Sequence, residues 1–370
     1  MKKMLSLAAL FAALSYATPA SAELKIGGDM SVRARAEVNA DDPGNNTGDD
    51  LKLQYRLRLN GAADLGDGYF FKTMIMSENY AAAGYLDVNA TGSENYALTA
   101  SQIYFGRKTE NCSYSVGRIP LNAMNNPIFD ITLYPAQPLD CPVAWFNYDR
   151  LLGGNYSTKL GEGTLSTTLV VLDNSSTNVA NGADLYNGLL NDGYAVDLAY
   201  TFTAGKVTIE PQVFAVLTNA NVATAGAYAP TALATNVTPL TFGATVSAPV
   251  GSGKISGAAF YTSASEKNDA GAKTADYSGY LVRVKGESGP YMAWIDFNNT
   301  TNDNAAGAIV KDYTNTFVWA QYKYTAYKGA AGSLTLQPTL RYRASSTETA
   351  AGTEVDKSQL RGEFSATVTF

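Results

Sequence analysis

The sequence contains no histidine among its 370 residues. That removes the side chain whose charge changes near neutral pH, a frequent general base and the commonest metal ligand. Only two cysteines occur, Cys112 and Cys141, too few to build a four-ligand zinc site. Charge is sparse: Asp, Glu, Lys and Arg together make 16% of the chain, and the formal net charge is −6. Beyond the first 22 residues there is no run of 18 apolar residues, so helical membrane spans are not expected. Tyrosine, at 24, and glycine, at 33, are abundant instead. Little charge with many aromatic residues is unusual for a soluble enzyme and fits a β-barrel belted by aromatic side chains.

The N-terminus reads as a secretory signal. Lys2 and Lys3 form its charged start, Met4–Ala17 its apolar core, and Ala20-Ser21-Ala22 its small-residue cleavage site. The mature chain is expected to begin at Glu23. No linker or change of composition interrupts residues 23–370, which read as one domain.

Strand signals then recur without a helical pattern between them. In the first, Ile26, Met30, Val32, Ala34, Ala36 and Val38 alternate with Lys25, Asp29, Ser31, Arg33, Arg35 and Glu37. In the second, Leu51, Leu53, Tyr55, Leu57 and Leu59 alternate with Lys52, Gln54, Arg56, Arg58 and Asn60. Such two-sided strands separate an apolar face from a polar one. Sixteen segments can be counted, the last covering residues 357–370 and ending on Phe370. Short glycine turns alternate with longer loops rich in Asn, Asp, Ser and Thr. An even strand number with that alternation predicts an all-β, transmembrane, antiparallel up-and-down barrel of about 16 strands. Closure in a bilayer requires the last strand to pair with the first.

One stretch breaks the rhythm. After a short strand at 114–119, residues 120–144 carry five prolines and no clean period, yet are apolar. A long apolar segment of this kind is expected to be covered or functional.

The signal, the sixteen two-faced segments, Gly117-Arg118-Ile119-Pro120 before a long third loop, and the terminal phenylalanine together resemble the Gram-negative general porins. The resemblance spans the whole mature chain in pattern. It implies a bacterial outer-membrane location, a homotrimer in contact with outer-membrane lipid and lipopolysaccharide, and passive diffusion of ions and small hydrophilic solutes. It also gives residues 120–144 the role of a constriction loop folded into the lumen, with Arg118 at its base, although a plain structural salt bridge at Arg118 is equally open. The loop has fewer acids than is familiar in that family: only Asp130 and Asp140. These serve either as the acidic side of an eyelet or as residues satisfying their own turns.

The polar faces supply a candidate lining. Arg33 and Arg35 come from the first strand, Arg56 and Arg58 from the second, Arg341 and Arg343 from the fifteenth and Arg361 from the sixteenth. Closure makes those four strands neighbours, so seven arginines share one arc, which Lys52, Arg283 and Lys285 extend. Opposed charges across a pore orient solutes and select ions. The plain alternative is that arginine is simply tolerated on a polar lumen wall. Cys112 and Cys141 form a disulfide only if a turn and a mid-barrel loop end approach within about 7 Å. Trp145, Trp294 and Trp319 read as girdle residues; were the face of Phe317, Trp319 and Gln321 inward, it would offer sugars an aromatic track. Val250–Lys254 fails as a phosphate loop, because Ala248 and Ile255 stand where glycine and Ser/Thr are needed.

The leading reading is therefore a diffusion channel with no cofactor or metal, and the alternative a porin selective for anions or sugars. A barrel hydrolase would need a histidine base. An adhesive or structural barrel would carry longer surface loops than the roughly twenty residues available here.

Overall fold

The computed structural model describes residues 24–41, 50–77, 85–88, 98–120, 150–173, 193–217, 238–267 and 270–370. The expected signal, Asp130, Asp140, Cys141, Trp145 and all of the proline-rich loop after Pro120 lie outside these residues.

The described chain is a closed antiparallel barrel of sixteen strands. They are β1 (Leu24–Asp41), β2 (Asp50–Gly66), β3 (Tyr69–Ser77), β4 (Leu98–Lys108), β5 (Cys112–Pro120), β6 (Arg150–Leu160), β7 (Gly163–Asp173) and β8 (Gly193–Ala204). The circuit continues with β9 (Val207–Val216), β10 (Leu240–Val250), β11 (Gly253–Lys267), β12 (Lys273–Ser288) and β13 (Tyr291–Asn302). It ends with β14 (Val310–Tyr322, resuming as Tyr324–Gly329), β15 (Gly332–Thr349) and β16 (Glu354–Thr369). Each strand pairs with its neighbours in sequence, and β16 closes on β1 from Asp29↔Thr369 to Asp41↔Lys357.

The last residue seals the seam. Phe370 and Gly28 exchange both backbone hydrogen bonds, at 2.9 and 3.0 Å. The Phe370 ring lies over Gly28, where an added Cβ would sit 3.0 Å from the ring and 2.3 Å from the Arg58 carbonyl oxygen. Only glycine lets the edge close this tightly.

The two faces segregate as alternation demands. Outward residues of the closing strands, such as Val32, Leu53, Leu340, Leu360 and Phe364, are exposed apolar side chains. Their inward neighbours Arg33, Gln54, Arg341, Arg361 and Glu363 are buried. An apolar exterior around a polar interior is the arrangement a bilayer selects, since all backbone groups of a closed barrel are satisfied within the sheet.

Three local features break the regular run of hairpins. β14 pauses at Lys323 and resumes over Tyr324–Gly329, with a register shift between Thr325 and Tyr327. The pause at Lys323 falls where Pro338 stands on β15 between the pairs Gln321↔Thr339 and Tyr324↔Leu336. Proline has no N–H to give the ladder. The β15–β16 hairpin is paired up to Glu348↔Glu354. The third strand is interrupted: β3 stops at Ser77, and Leu86–Asp87 take up pairing on β2 again, Tyr55↔Leu86 and Gln54↔Asp87.

Candidate functional site

The inner wall of β15, β16, β1 and β2 brings together all seven arginines of the expected arc. Their register makes the cluster. Arg33 stands opposite Gln54, Arg35 opposite Glu363, Glu37 opposite Arg361, and Arg361 opposite Arg341. Asp29 stands opposite Arg58, and Ser31 opposite Arg56.

The guanidiniums are organised around three carboxylates. Glu363 accepts from Arg35 Nε at 2.7 Å and Arg341 Nη2 at 2.6 Å, with Arg33 Nη1 at 3.3 Å. Glu37 takes Arg361 Nη2 at 2.7 Å and Arg35 Nη1 at 3.5 Å. Asp29 takes Arg58 Nε at 2.7 Å and Arg56 Nη2 at 3.2 Å. Arg33 also donates through Nε and Nη2 to Gln54 Oε1, at 2.8 and 2.6 Å, and Gln54 Nε2 donates to Asp87 at 2.5 Å. Arg343 Nε donates to Asn315 Oδ1 at 2.8 Å. Six guanidiniums thus share three carboxylates, with Arg343 on an amide beside them, and the arc keeps a surplus of positive charge. Mutual repulsion would splay seven free arginines; shared acids hold them flat against the wall while leaving the excess.

Tyr85 completes the arc. Its ring lies under the Arg33 guanidinium at 3.7 Å and the Arg56 guanidinium at 4.7 Å, and its hydroxyl bonds Ser31 Oγ at 2.8 Å.

The expected extension of the arc is divided. Lys52 is half-exposed and pairs with Asp50 at 3.1 Å. Arg283 and Lys285 face inward on β12, where Arg283 grips Asp296 through Nε and Nη2, both at 2.6 Å. Trp294 and Trp319 separate them from the arc. These tryptophans depart from the girdle expectation: they are 3% and 4% exposed, face inward, and stack at 4.7 Å with 12° between planes. The face of Phe317, Trp319 and Gln321 is therefore inward. Arg341 caps Trp319 at 4.0 Å and Arg283 lies 5.2 Å from Trp294, so guanidinium groups sit against the stack at both tryptophans.

Arg118 also departs from expectation. It stands opposite Ile103 and Leu152, both exposed on the outer face, while Ile119 beside it is buried inward. Arg118 Nη1 donates to the Ala100 carbonyl oxygen at 3.4 Å. The backbone turns here at Gly117, whose φ of 128° is open to glycine and not to ordinary side chains. Arg118 therefore belongs to the outer surface and not to the lumen lining. Cys112 is a free thiol 3.3 Å from the Thr109 hydroxyl.

Across the lumen the chemistry changes. β8 and β9 stand half-way round the circuit from β16 and β1. A chamber of about 600 Å³ opens there, walled by hydroxyls such as Ser166, Thr168 and Thr245 and by Asp197 and Glu210. Gln212 Nε2 donates to Asp197 at 2.7 Å, and Thr201 Oγ1 donates to Glu210 at 2.6 Å. An arginine arc thus faces a hydroxyl wall whose chamber holds two carboxylates together with Lys72, Lys108 and Lys254. Asp197 sits between Val196 and Leu198, so alternation alone marks it as inward. Tyr85 has no such signal, because only two described residues beyond it pair with β2.

No family model matches the chain, and no curated protein matches it. Solved structures do. An anion-selective porin from Comamonas acidovorans aligns over 95% of this chain and 100% of its own, at 15% identity and a TM-score of 0.56. The fold is that of outer-membrane porins. The outer-membrane channel DcaP of Acinetobacter baumannii aligns over 95% and 99% at 15% identity, TM-score 0.55. OprB of Pseudomonas putida aligns over 94% of both chains at 12% identity, TM-score 0.53. At these identities the likeness carries the barrel architecture and leaves the lining to be read from this chain's own residues.

Proposed function

We propose that the protein is a passive channel of the bacterial outer membrane, admitting ions and small hydrophilic solutes and favouring anions. The observation that carries this reading is the surplus of guanidiniums on the inner wall of a closed, externally apolar barrel. Such a wall raises the local concentration of anions and repels cations. The negative formal charge of the whole chain does not oppose this, since it includes acids such as Asp41 and Asp50 at strand ends. The Comamonas acidovorans porin of the same architecture is anion-selective, which runs in the same direction.

The reading includes a cleaved signal over residues 1–22, a homotrimer in lipid and lipopolysaccharide, and residues 120–144 as a constriction bearing Asp130 and Asp140. No catalytic group is invoked. A second reading, a channel selective for a particular solute, draws on the inward Trp294–Trp319 stack.

Two experiments test the proposal. In liposome swelling, small sugars should enter, at rates falling with size, and a sugar acid should enter faster than the neutral sugar of equal size. No swelling with any solute would overturn the diffusion reading. On a gel, unheated protein should migrate as a compact SDS-resistant oligomer and convert to monomer on boiling. A monomer band under both conditions would remove the trimer.

A further inference from the structure

The third strand is broken in a telling place. Arg58 pairs with Met76, and Tyr55 pairs with Leu86. Tyr85 therefore occupies the position opposite Arg56 that β3 would have filled had it continued past Ser77. Pairing on β2 resumes in register at Leu86, and the residue before it is an aromatic set against the arginine arc.

Tyr85 is 7% exposed and meets three inward groups of two strands: Ser31 and Arg33 of β1 and Arg56 of β2. The return is fastened on both sides. Val88 N donates to the Leu53 carbonyl oxygen at 2.9 Å, and Asp87 accepts from Gln54, which in turn accepts two bonds from Arg33. Arg33 is thus held at its edge by Gln54 and on its face by Tyr85.

We propose that Tyr85 is a specificity-determining residue of the channel, a clamp that presses Arg33 and Arg56 against the wall and fixes how much of their charge reaches the lumen. This rests on the channel reading given above. A guanidinium over an aromatic ring keeps its charge but loses freedom and hydration, so it presents a smaller and more rigid target to a passing anion. Removing the ring widens the lumen beside β1 and β2 and uncovers one face of each guanidinium, while Arg33 keeps Gln54 and Glu363 and Arg56 keeps Asp29.

The test uses the full-length barrel and three sequences: wild type, Tyr85→Phe and Tyr85→Ala. In planar bilayers, Tyr85→Ala should raise single-channel conductance and move the reversal potential further toward that of chloride. Tyr85→Phe keeps the ring and loses only the bond to Ser31, so it should stay near wild type. Phenylglyoxal labelling, read by peptide mass, gives a second measure that does not depend on conduction. Labelling of Arg33 and Arg56 should speed up about tenfold in Tyr85→Ala and little in Tyr85→Phe. Equal labelling in all three overturns the clamp. Unchanged selectivity and conductance in Tyr85→Ala, with wild type conducting, overturns the specificity role and leaves the channel reading standing. A wild type that conducts nothing overturns the channel reading and the specificity role together, while the labelling result still decides whether the clamp exists.

Discussion

Glu363→Gln should lower the folding stability of the barrel by about 3–5 kcal/mol, the range for removing one partner of a buried charge cluster. Three arginines reach this carboxylate, whose side chain is 4% exposed. Glutamine matches its shape and keeps an acceptor oxygen, so the loss isolates charge from packing. Arg33, Arg35 and Arg341 would then face one another without their counter-ion. Denaturant unfolding in detergent micelles, or the temperature at which the compact gel band converts, measures the loss. Adding Arg35→Met to the variant should restore part of it, because one uncompensated cation is removed; such non-additivity is what a shared network produces. The same variant should strengthen anion preference, since the arc loses a negative charge. Wild-type stability in Glu363→Gln would mean that water within the lumen already screens the cluster.

The second large effect contrasts two adjacent residues on β7. Leu169 is an exposed outward side chain, and Thr168 is a buried inward one standing opposite Asp197 across β8. Leu169→Lys should destabilise the barrel in a bilayer by about 2–4 kcal/mol, the cost of a cation on the lipid face near the midplane. Thr168→Lys should cost far less, because the new ammonium enters a polar chamber of about 600 Å³ beside Asp197 and Glu210, where Lys72, Lys108 and Lys254 are already accommodated. Equilibrium folding into vesicles compares the two. Equal costs, or the reverse order, would contradict the inside–outside assignment on which the arc depends.

Much of this architecture is legible in the sequence because alternation has period 2 and each face meets a different solvent. The polar faces of β1, β2, β15 and β16 place all seven arginines inward without any structure. What alternation cannot supply is register. Asp29, Glu37 and Glu363 lie on the same polar faces, yet only the pairing Arg35↔Glu363 across the seam shows that the arginines are neutralised in part and packed flat. The tryptophans were misplaced for a different reason. On β14 the outward residues are Thr316, Val318 and Ala320, so the lipid face carries smaller side chains than the lumen face and apolarity points the wrong way. Arg118 shares its face with Tyr114 and Val116, a parity visible in the sequence that the resemblance of the Gly-Arg-x-Pro segment overrode. Tyr85 is out of reach because an interrupted strand resets the period, and two residues are too few to reveal it.

The central claim is that an arginine surplus on the inner wall governs what passes. The most direct measurement is the reversal potential of the purified protein in a planar bilayer under a salt gradient, before any substitution is made. The account predicts conductance steps with the potential displaced toward that of chloride. Displacement toward the cation would contradict it, and would give control of the pore to its carboxylates.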